Sequence, residues 1–270
     1  MKIAVLLFGQ PRDALNCSKS IIENIITPNN ADIFLHTWYD KNDLYMEKGE
    51  KDRSNCELDE GLDKQLLEIY KPKAYCIESQ RFKKFNNYDT NYLKCPDKYV
   101  NNMHNCGKNK ELTKEEVELR CIKFSHISQF YSIFKVNMLK EEYSLENNIF
   151  YDYVIKLRFD IVCNSPIIIN HNFPTNQMLF QSIGQKDNLV SDWFHISSNE
   201  IMNIACSIFL KLKYLNNTQG FLKQSDRLPI TLWDTSESSC SPEIFIRDYL
   251  FLHKIGWKGI NFNINLSNKT

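Results

Sequence analysis

Apolar residues open the chain in short unbroken runs separated by amphipathic stretches. Ile3 to Phe8 is such a run, closed by Gly9-Gln10-Pro11-Arg12, and predicts a strand covered on both faces. Ile21, Ile22, Ile25 and Ile26 form one stripe of a helix from about Ala14 to Ile26, which should stop before Pro28. Ala31 to His36 reads as a second strand, Asp63 to Tyr70 as a helix ahead of Pro72, and Ala74 to Glu78 as a third strand. This βαβαβ alternation predicts a mostly parallel sheet with right-handed crossovers. Periodicity dissolves between Phe82 and Leu112, a length of irregular chain that suits a lid. A long helix should follow from Glu115 to about Glu142 and lead into Tyr151 to Asp160.

After Asp160 the pattern becomes less regular. Short strands are expected at Pro166 to Ile169, Met178 to Gln181 and Phe194 to Ser197, followed by a helix from Asn199 to Tyr214. Ser241-Pro242-Glu243 has the N-cap, first-turn proline and acidic residue of a helix start, with the helix running to His253. A last strand is expected near Gly259 to Ile264.

The stretch Val154-Ile155-Lys156-Leu157-Arg158-Phe159-Asp160 carries the clearest chemical signal, because an apolar run ends in a cation and a carboxylate. Ligands of open α/β sheets bind beyond the carboxyl ends of the strands. Residues two apart on a strand share a face, so Arg158 and Asp160 suit one ligand, such as a diphosphate with its metal, and equally suit a structural salt bridge. At the end of the first strand, Gly9 permits a sharp turn close to a ligand and Arg12 offers a fork for phosphate. The second strand ends in His36-Thr37-Trp38-Tyr39-Asp40, an aromatic and hydrogen-bonding cluster in which Trp38 fits a ligand-facing or a core position.

Composition narrows the classes. Lys+Arg 33 against Asp+Glu 33 gives a formal net charge of zero, which argues against a general attraction to nucleic acid or an anionic membrane. The 270 residues, 43% hydrophobic and 13% aromatic, suffice for a substantial core. Nine cysteines are scattered without a C-x-x-C pair, the pattern of a reduced pool rather than of a zinc ribbon. The first apolar run is too short for a signal peptide or a membrane span, so the expected compartment is the cytoplasm, and the Asn216-Asn217-Thr218 acceptor triplet would be silent there. Neither G-x-x-x-x-G-K-[ST] nor G-x-G-x-x-G occurs, which disfavours P-loop enzymes and dinucleotide dehydrogenases.

The order KIAVLLFGQPR, NNADIFLHTWYD, YDYVIKLRFDIV, SDWFHISS and SPEIFIRDYL resembles the nucleotide-sugar-dependent glycosyltransferases of GT-A fold found in bacterial capsule and lipopolysaccharide clusters and in large DNA viruses. The resemblance implies a single α/β, Rossmann-like domain: a mostly parallel sheet flanked by helices, with residues 1–160 as donor half and 161–270 as a smaller, irregular acceptor-binding and catalytic half. It implies transfer of a hexosyl or pentosyl unit from a nucleoside-diphosphate sugar to a glycan hydroxyl, in the cytoplasm, or the host cytoplasm for a virus.

The donor would be bound by Phe8, Gly9, Gln10, Arg12, His36, Trp38, Arg158 and Asp160. Arg158-Phe159-Asp160 stands where the family has a D-x-D element, so Asp160 alone would hold Mn²⁺ or Mg²⁺, or Arg158 would replace part of the metal's charge. An inverting enzyme needs a general base, for which Asp192 and Glu243 are the candidates, with Asp234 a third. The other readings are a sugar-nucleotidyltransferase, which would carry a glycine-rich basic loop absent here, and a non-catalytic nucleotide- or glycan-binding module. Donor sugar, linkage, stereochemistry and oligomeric state are not set by the sequence.

Overall fold

A computed structural model describes residues 1–42, 44–46, 56–80, 124–182, 190–211 and 242–267. The stretches 82–112 and 216–218, and Asp234, lie outside them.

Strands β1 (Ile3–Gly9), β2 (Asp32–Trp38), β5 (Ala74–Glu78), β6 (Tyr153–Arg158), β8 (Gln177–Gln181), β9 (Phe194–Ser198) and β10 (Gly256–Ile260) form one seven-stranded sheet in the order β10-β8-β9-β6-β1-β2-β5. The neighbours β5, β2, β1 and β6 are parallel, β9 runs against both β6 and β8, and β10 is parallel to β8. The expected α/β architecture with a mostly parallel sheet is therefore present, and the sheet runs through both halves of the chain. Two short antiparallel pairs accompany it, β3 (Tyr45–Met46) with β4 (Cys56–Glu57) and β7 (Ile161–Cys163) with β11 (Ile264–Leu266).

Among the described residues the helices are α1 (Ala14–Ile21), α2 (Thr27–Asn29), α3 (Leu62–Tyr70), α4 (Phe124–Asn147), α5 (Asn199–Cys206), continued by a 3-10 turn over Ser207–Lys211, and α6 (Pro242–Leu252). The helical run that begins at Ala14 does not stop before Pro28. A π-helical turn over Ile22–Ile26 joins α1 to α2, with the Thr27 N–H bonding to the Ile22 carbonyl, and Asn30 ends the run in the left-handed region. The apolar stretch Pro166 to Ile169 is not a strand either. Its backbone is held by helix side chains: Asn29 Nδ2 donates to the Ile167 carbonyl and Asn29 Oδ1 accepts from the Ile169 N–H. The expected final strand is two, β10 and β11, separated by a turn in which Asn263 takes a positive φ.

Right-handed crossovers place α1 and α3 on one face, since β1, β2 and β5 advance in one direction, and α4 on the other, since it returns the chain to β6 beside β1. Paired residues in register share a face. Leu6, Phe8, His36, Trp38, Cys76, Glu78, Lys156 and Arg158 therefore belong to the α4 face, as the contacts of His36 and Trp38 with Tyr131 confirm. Val5, Leu7, Leu35, Ile155 and Leu157 fill the opposite face, essentially inaccessible to solvent. Each such side chain stabilises the fold by about 1.5–3 kcal/mol relative to exposure. No helix among the described residues is long and apolar enough to cross a membrane.

Candidate functional site

The chain leaves β1 for β2 on one side, whereas β6 enters on the other, so the sheet's switch point lies between β1 and β6. Crevices that bind ligands form at such points, outside the carboxyl ends of the strands. Phe8 pairs in register with Arg158 there.

Gly9 closes β1 with φ +99°, a conformation that L side chains rarely adopt, and a Cβ built on it would meet nothing within 4 Å. Its N–H donates to Ser132 Oγ at 2.8 Å and its carbonyl accepts from Thr37 Oγ1 at 2.9 Å. The turn is thereby fixed with one side open. Beyond it, Arg12 Nε donates to Gln10 Oε1 (2.7 Å), Gln10 Nε2 to Gln80 Oε1 (2.7 Å) and Gln80 Nε2 to Ser128 Oγ (2.7 Å). This amide ladder ties the loop after β1 to the loop after β5 and to α4.

On β6, Arg158 grips Asp160 with two hydrogen bonds, Nε to Oδ1 at 2.9 Å and Nη2 to Oδ2 at 2.5 Å. The arginine side chain is 19% exposed and the carboxylate 8%. A bidentate pair of this kind fixes the guanidinium plane. The Asp160 carbonyl accepts from the Ser267 N–H at 2.7 Å, and Ser267 Oγ donates to Asp13, which precedes α1 in the left-handed region. The C-terminal strand thus braces the turn that carries Asp160.

Asp192 is brought to the same edge. The Arg158 N–H donates to the Trp193 carbonyl (3.1 Å), Lys156 Nζ to the Asp192 carbonyl (3.1 Å), and Gln129 Nε2 to Asp192 Oδ2 (2.6 Å). Trp193 itself is buried. Glu243 is half-buried in the first turn of α6, whose Phe245 packs edge-on to Phe130 of α4 at 6.3 Å, next to Gln129.

Three of the expected donor contacts are closed off. Phe8, His36 and Trp38 are buried to about 1% exposure or less, because α4 covers the face on which they lie. Trp38 stacks on Tyr131 at 5.6 Å, and His36 meets the Trp38 ring edge-on at 4.8 Å. From this end of the sheet a ligand would meet Gly9, Gln10, Arg12 and Arg158 rather than those three side chains.

Lys156 escaped the sequence reading although a cation inside an apolar run is visible there. It lies fully buried with its ammonium 4.8 Å from the centre of the Phe8 ring, a favourable cation–π placement. Burial pulls its pKa down to about 8, against the opposing pull of Cys206 and Asp192. Burial, aided by Lys156, also holds His195 well below the usual histidine range, and its Nε2 is hydrogen-bonded to the Ser191 carbonyl. Asp13, Gln80, Ser128 and Gln129 were likewise missed, since only the folded chain brings them to the edge.

The contacts of Asp160 do not suit the metal that the resemblance implies there. Mn²⁺ and Mg²⁺ require several oxygen ligands, whereas Arg158-Phe159-Asp160 supplies one carboxylate, both of whose oxygens face a guanidinium. The residues present fit a salt-bridged cation for phosphate better than a metal shell. No protein-family model and no curated protein matches the chain.

Proposed function

We propose that the protein is a GT-A-type glycosyltransferase that moves a monosaccharide from a nucleoside-diphosphate sugar to a glycan hydroxyl. The observation that carries this reading is the bidentate Arg158–Asp160 pair at the switch point, with Arg158 registered against Phe8, the residue before the open Gly9 turn of β1. Gly9 admits the donor's backbone-facing side. Asp160 holds the Arg158 guanidinium in place, so that it and Arg12 offset the charge that grows on the diphosphate leaving group. Asp192, oriented by Gln129, takes the proton of the acceptor hydroxyl if transfer inverts the anomeric carbon. A divalent ion, where one is used, would add charge stabilisation at the diphosphate, and no step here depends on it. Glycan synthesis from nucleotide sugars matches a cytoplasmic setting.

The test is a panel of nucleoside-diphosphate sugars, read by thermal shift and by release of nucleoside diphosphate. The correct donor raises the melting temperature, since it binds the folded state alone, and is slowly hydrolysed. Arg158→Lys weakens both effects, because a lysine cannot make the bidentate contact. A panel that neither stabilises the protein nor yields nucleoside diphosphate rejects the reading. Stabilisation without release would make the protein a binding module.

A further inference from the structure

We propose that His36 Nε2, Cys76 Sγ and a Glu78 carboxylate oxygen form a site for a borderline transition metal of the Zn²⁺ class, at the carboxyl ends of β2 and β5. The inference stands apart from the glycosyltransferase reading and does not rest on it.

The site is built by strand register. His36 and Cys76 are directly paired on neighbouring parallel strands, and Glu78 lies two residues beyond Cys76 on the same face. Their ligand atoms all fall within 4.8 Å of one another. His36 Nε2 is 3.5 Å from Glu78 Oε1, and Cys76 Sγ is 3.3 Å from the same oxygen. Around a tetrahedral Zn²⁺, with bonds of about 2.0 Å to nitrogen and oxygen and about 2.3 Å to sulfur, ligand atoms sit roughly 3.3–3.5 Å apart. Two of the three separations already have that value. The half-buried Cys76 can close the third by a side-chain adjustment.

Outer contacts orient the ligands as metal sites require. Ser132 Oγ lies 2.7 Å from His36 Nδ1 and also accepts the Gly9 N–H. A hydroxyl oxygen has two lone pairs, so it can take both hydrogens, which puts the imidazole proton on Nδ1 and the Nε2 lone pair on the side of Cys76 and Glu78. Tyr131 donates its hydroxyl to Glu78 Oε1 at 3.0 Å. The stacked Trp38 and Tyr131 rings wall the cluster with apolar surface.

Donor chemistry selects the metal. A thiolate, an imidazole and one carboxylate suit Zn²⁺ and Co²⁺, whereas Mg²⁺ and Ca²⁺ demand oxygen-rich shells. Binding displaces the Cys76 thiol proton to solvent, so affinity rises with pH. Three protein ligands leave a fourth position for water or another donor. The bound ion would tie the edge strand β5 to β2.

The experiment uses the full chain, stripped with a chelator and titrated with Co²⁺ alone. The expected result is saturation at one equivalent, with a thiolate-to-cobalt charge-transfer band in the near ultraviolet and the strong visible bands of a tetrahedral ion. Zn²⁺ abolishes both and Mg²⁺ does not. Cys76→Ser removes the near-ultraviolet band, and Glu78→Gln weakens Co²⁺ binding at least about tenfold. Ser132→Ala, which touches no metal, weakens it about 10–100-fold by releasing the imidazole. Absence of the charge-transfer band in the wild-type chain, its persistence in Cys76→Ser, or unchanged affinity in Glu78→Gln overturns the assignment. Should circular dichroism show that Cys76→Ser does not fold, the wild-type spectrum and Glu78→Gln decide.

Discussion

The two ends of the parallel sheet, β1–β6 and β2–β5, share one edge and one covering helix, yet they assemble opposite kinds of chemistry. At β1–β6, full charges pair with each other: Arg158 and Asp160 form a bidentate ion pair beside an open glycine turn. At β2–β5, a nitrogen, a sulfur and a carboxylate donor converge under aromatic cover: His36, Cys76 and Glu78 against Tyr131 and Trp38. Ser132 links them, bonding to the Gly9 N–H on one side and His36 Nδ1 on the other. α4 buries Phe8 at the first end as it buries His36 and Trp38 at the second, but just beyond Phe8 the Gly9 turn at the switch point has one side open. Backbone topology thus decides which strand ends can meet a large anionic ligand, and side-chain choice decides what the covered ends can hold.

The largest expected effect tests the role of Asp192 at the open end. Asp192→Asn should lower transfer about 10²–10⁴-fold, the range of general-base catalysis, while calorimetry shows nucleoside-diphosphate affinity nearly unchanged. Glu243→Gln is the parallel test. If both variants retain full rates, neither carboxylate is the base and a retaining mechanism or a binding protein is the better reading. Asp160→Asn comes next. It releases the guanidinium that faces the diphosphate and should cost about 10²–10³-fold in transfer, the range for losing one preorganised electrostatic contact. Wild-type turnover by a folded Asp160→Asn protein would remove the pair from the site.

The same pair can be broken for stability. Arg158→Met leaves the largely buried Asp160 carboxylate unpaired and should destabilise the fold by about 3 kcal/mol in urea unfolding. The double variant Arg158→Met with Asp160→Leu should recover most of that loss, because no uncompensated charge stays buried. A double variant as unstable as the single one would mean that the pair holds the strand end by shape rather than by charge.

The strand frame of both ends was legible in the sequence, because unbroken apolar runs such as Ile3 to Phe8 and the period of α3 report burial locally. Arg158 and Asp160 were legible for the same reason: they interrupt a run. The metal-type cluster was not, since His36 and Cys76 are 40 residues apart and only strand register brings them together. Searching for C-x-x-C spacing passes over such a site. Asp13 and Ser267 meet across 254 positions, beyond any local pattern. Pro166 to Ile169 misled because a short apolar run looks the same whether a neighbouring strand or the amide of Asn29 takes up the backbone hydrogen bonds. Phe8, His36 and Trp38 were placed at the right edge, but which face α4 would cover follows from the crossover, not from composition.

The smallest effect separates the two ends by pH. Lys156 lies beneath the β1–β6 end, where burial lowers its pKa from 10.5 to about 8. Its neighbours there are Asp192, Arg158, His195 and Cys206. In the unfolded chain the amine stays protonated up to its ordinary value, so between pH 8 and 10.5 the unfolded state binds more protons and stability rises with pH. Cys206, raised by burial to about 11 from 9.0, acts in the opposite sense above pH 9, since its unfolded thiol ionises first. The clean window is therefore pH 8 to 9, where the Lys156 contribution should rise by about 1 kcal/mol. Lys156→Met keeps nearly the same volume and removes the titrating group, so the wild-type-minus-variant stability difference in urea should climb through that window. A flat difference would show that Lys156 reaches solvent or a stronger partner, and that the β1–β6 end is less closed beneath its open edge than its buried ammonium implies.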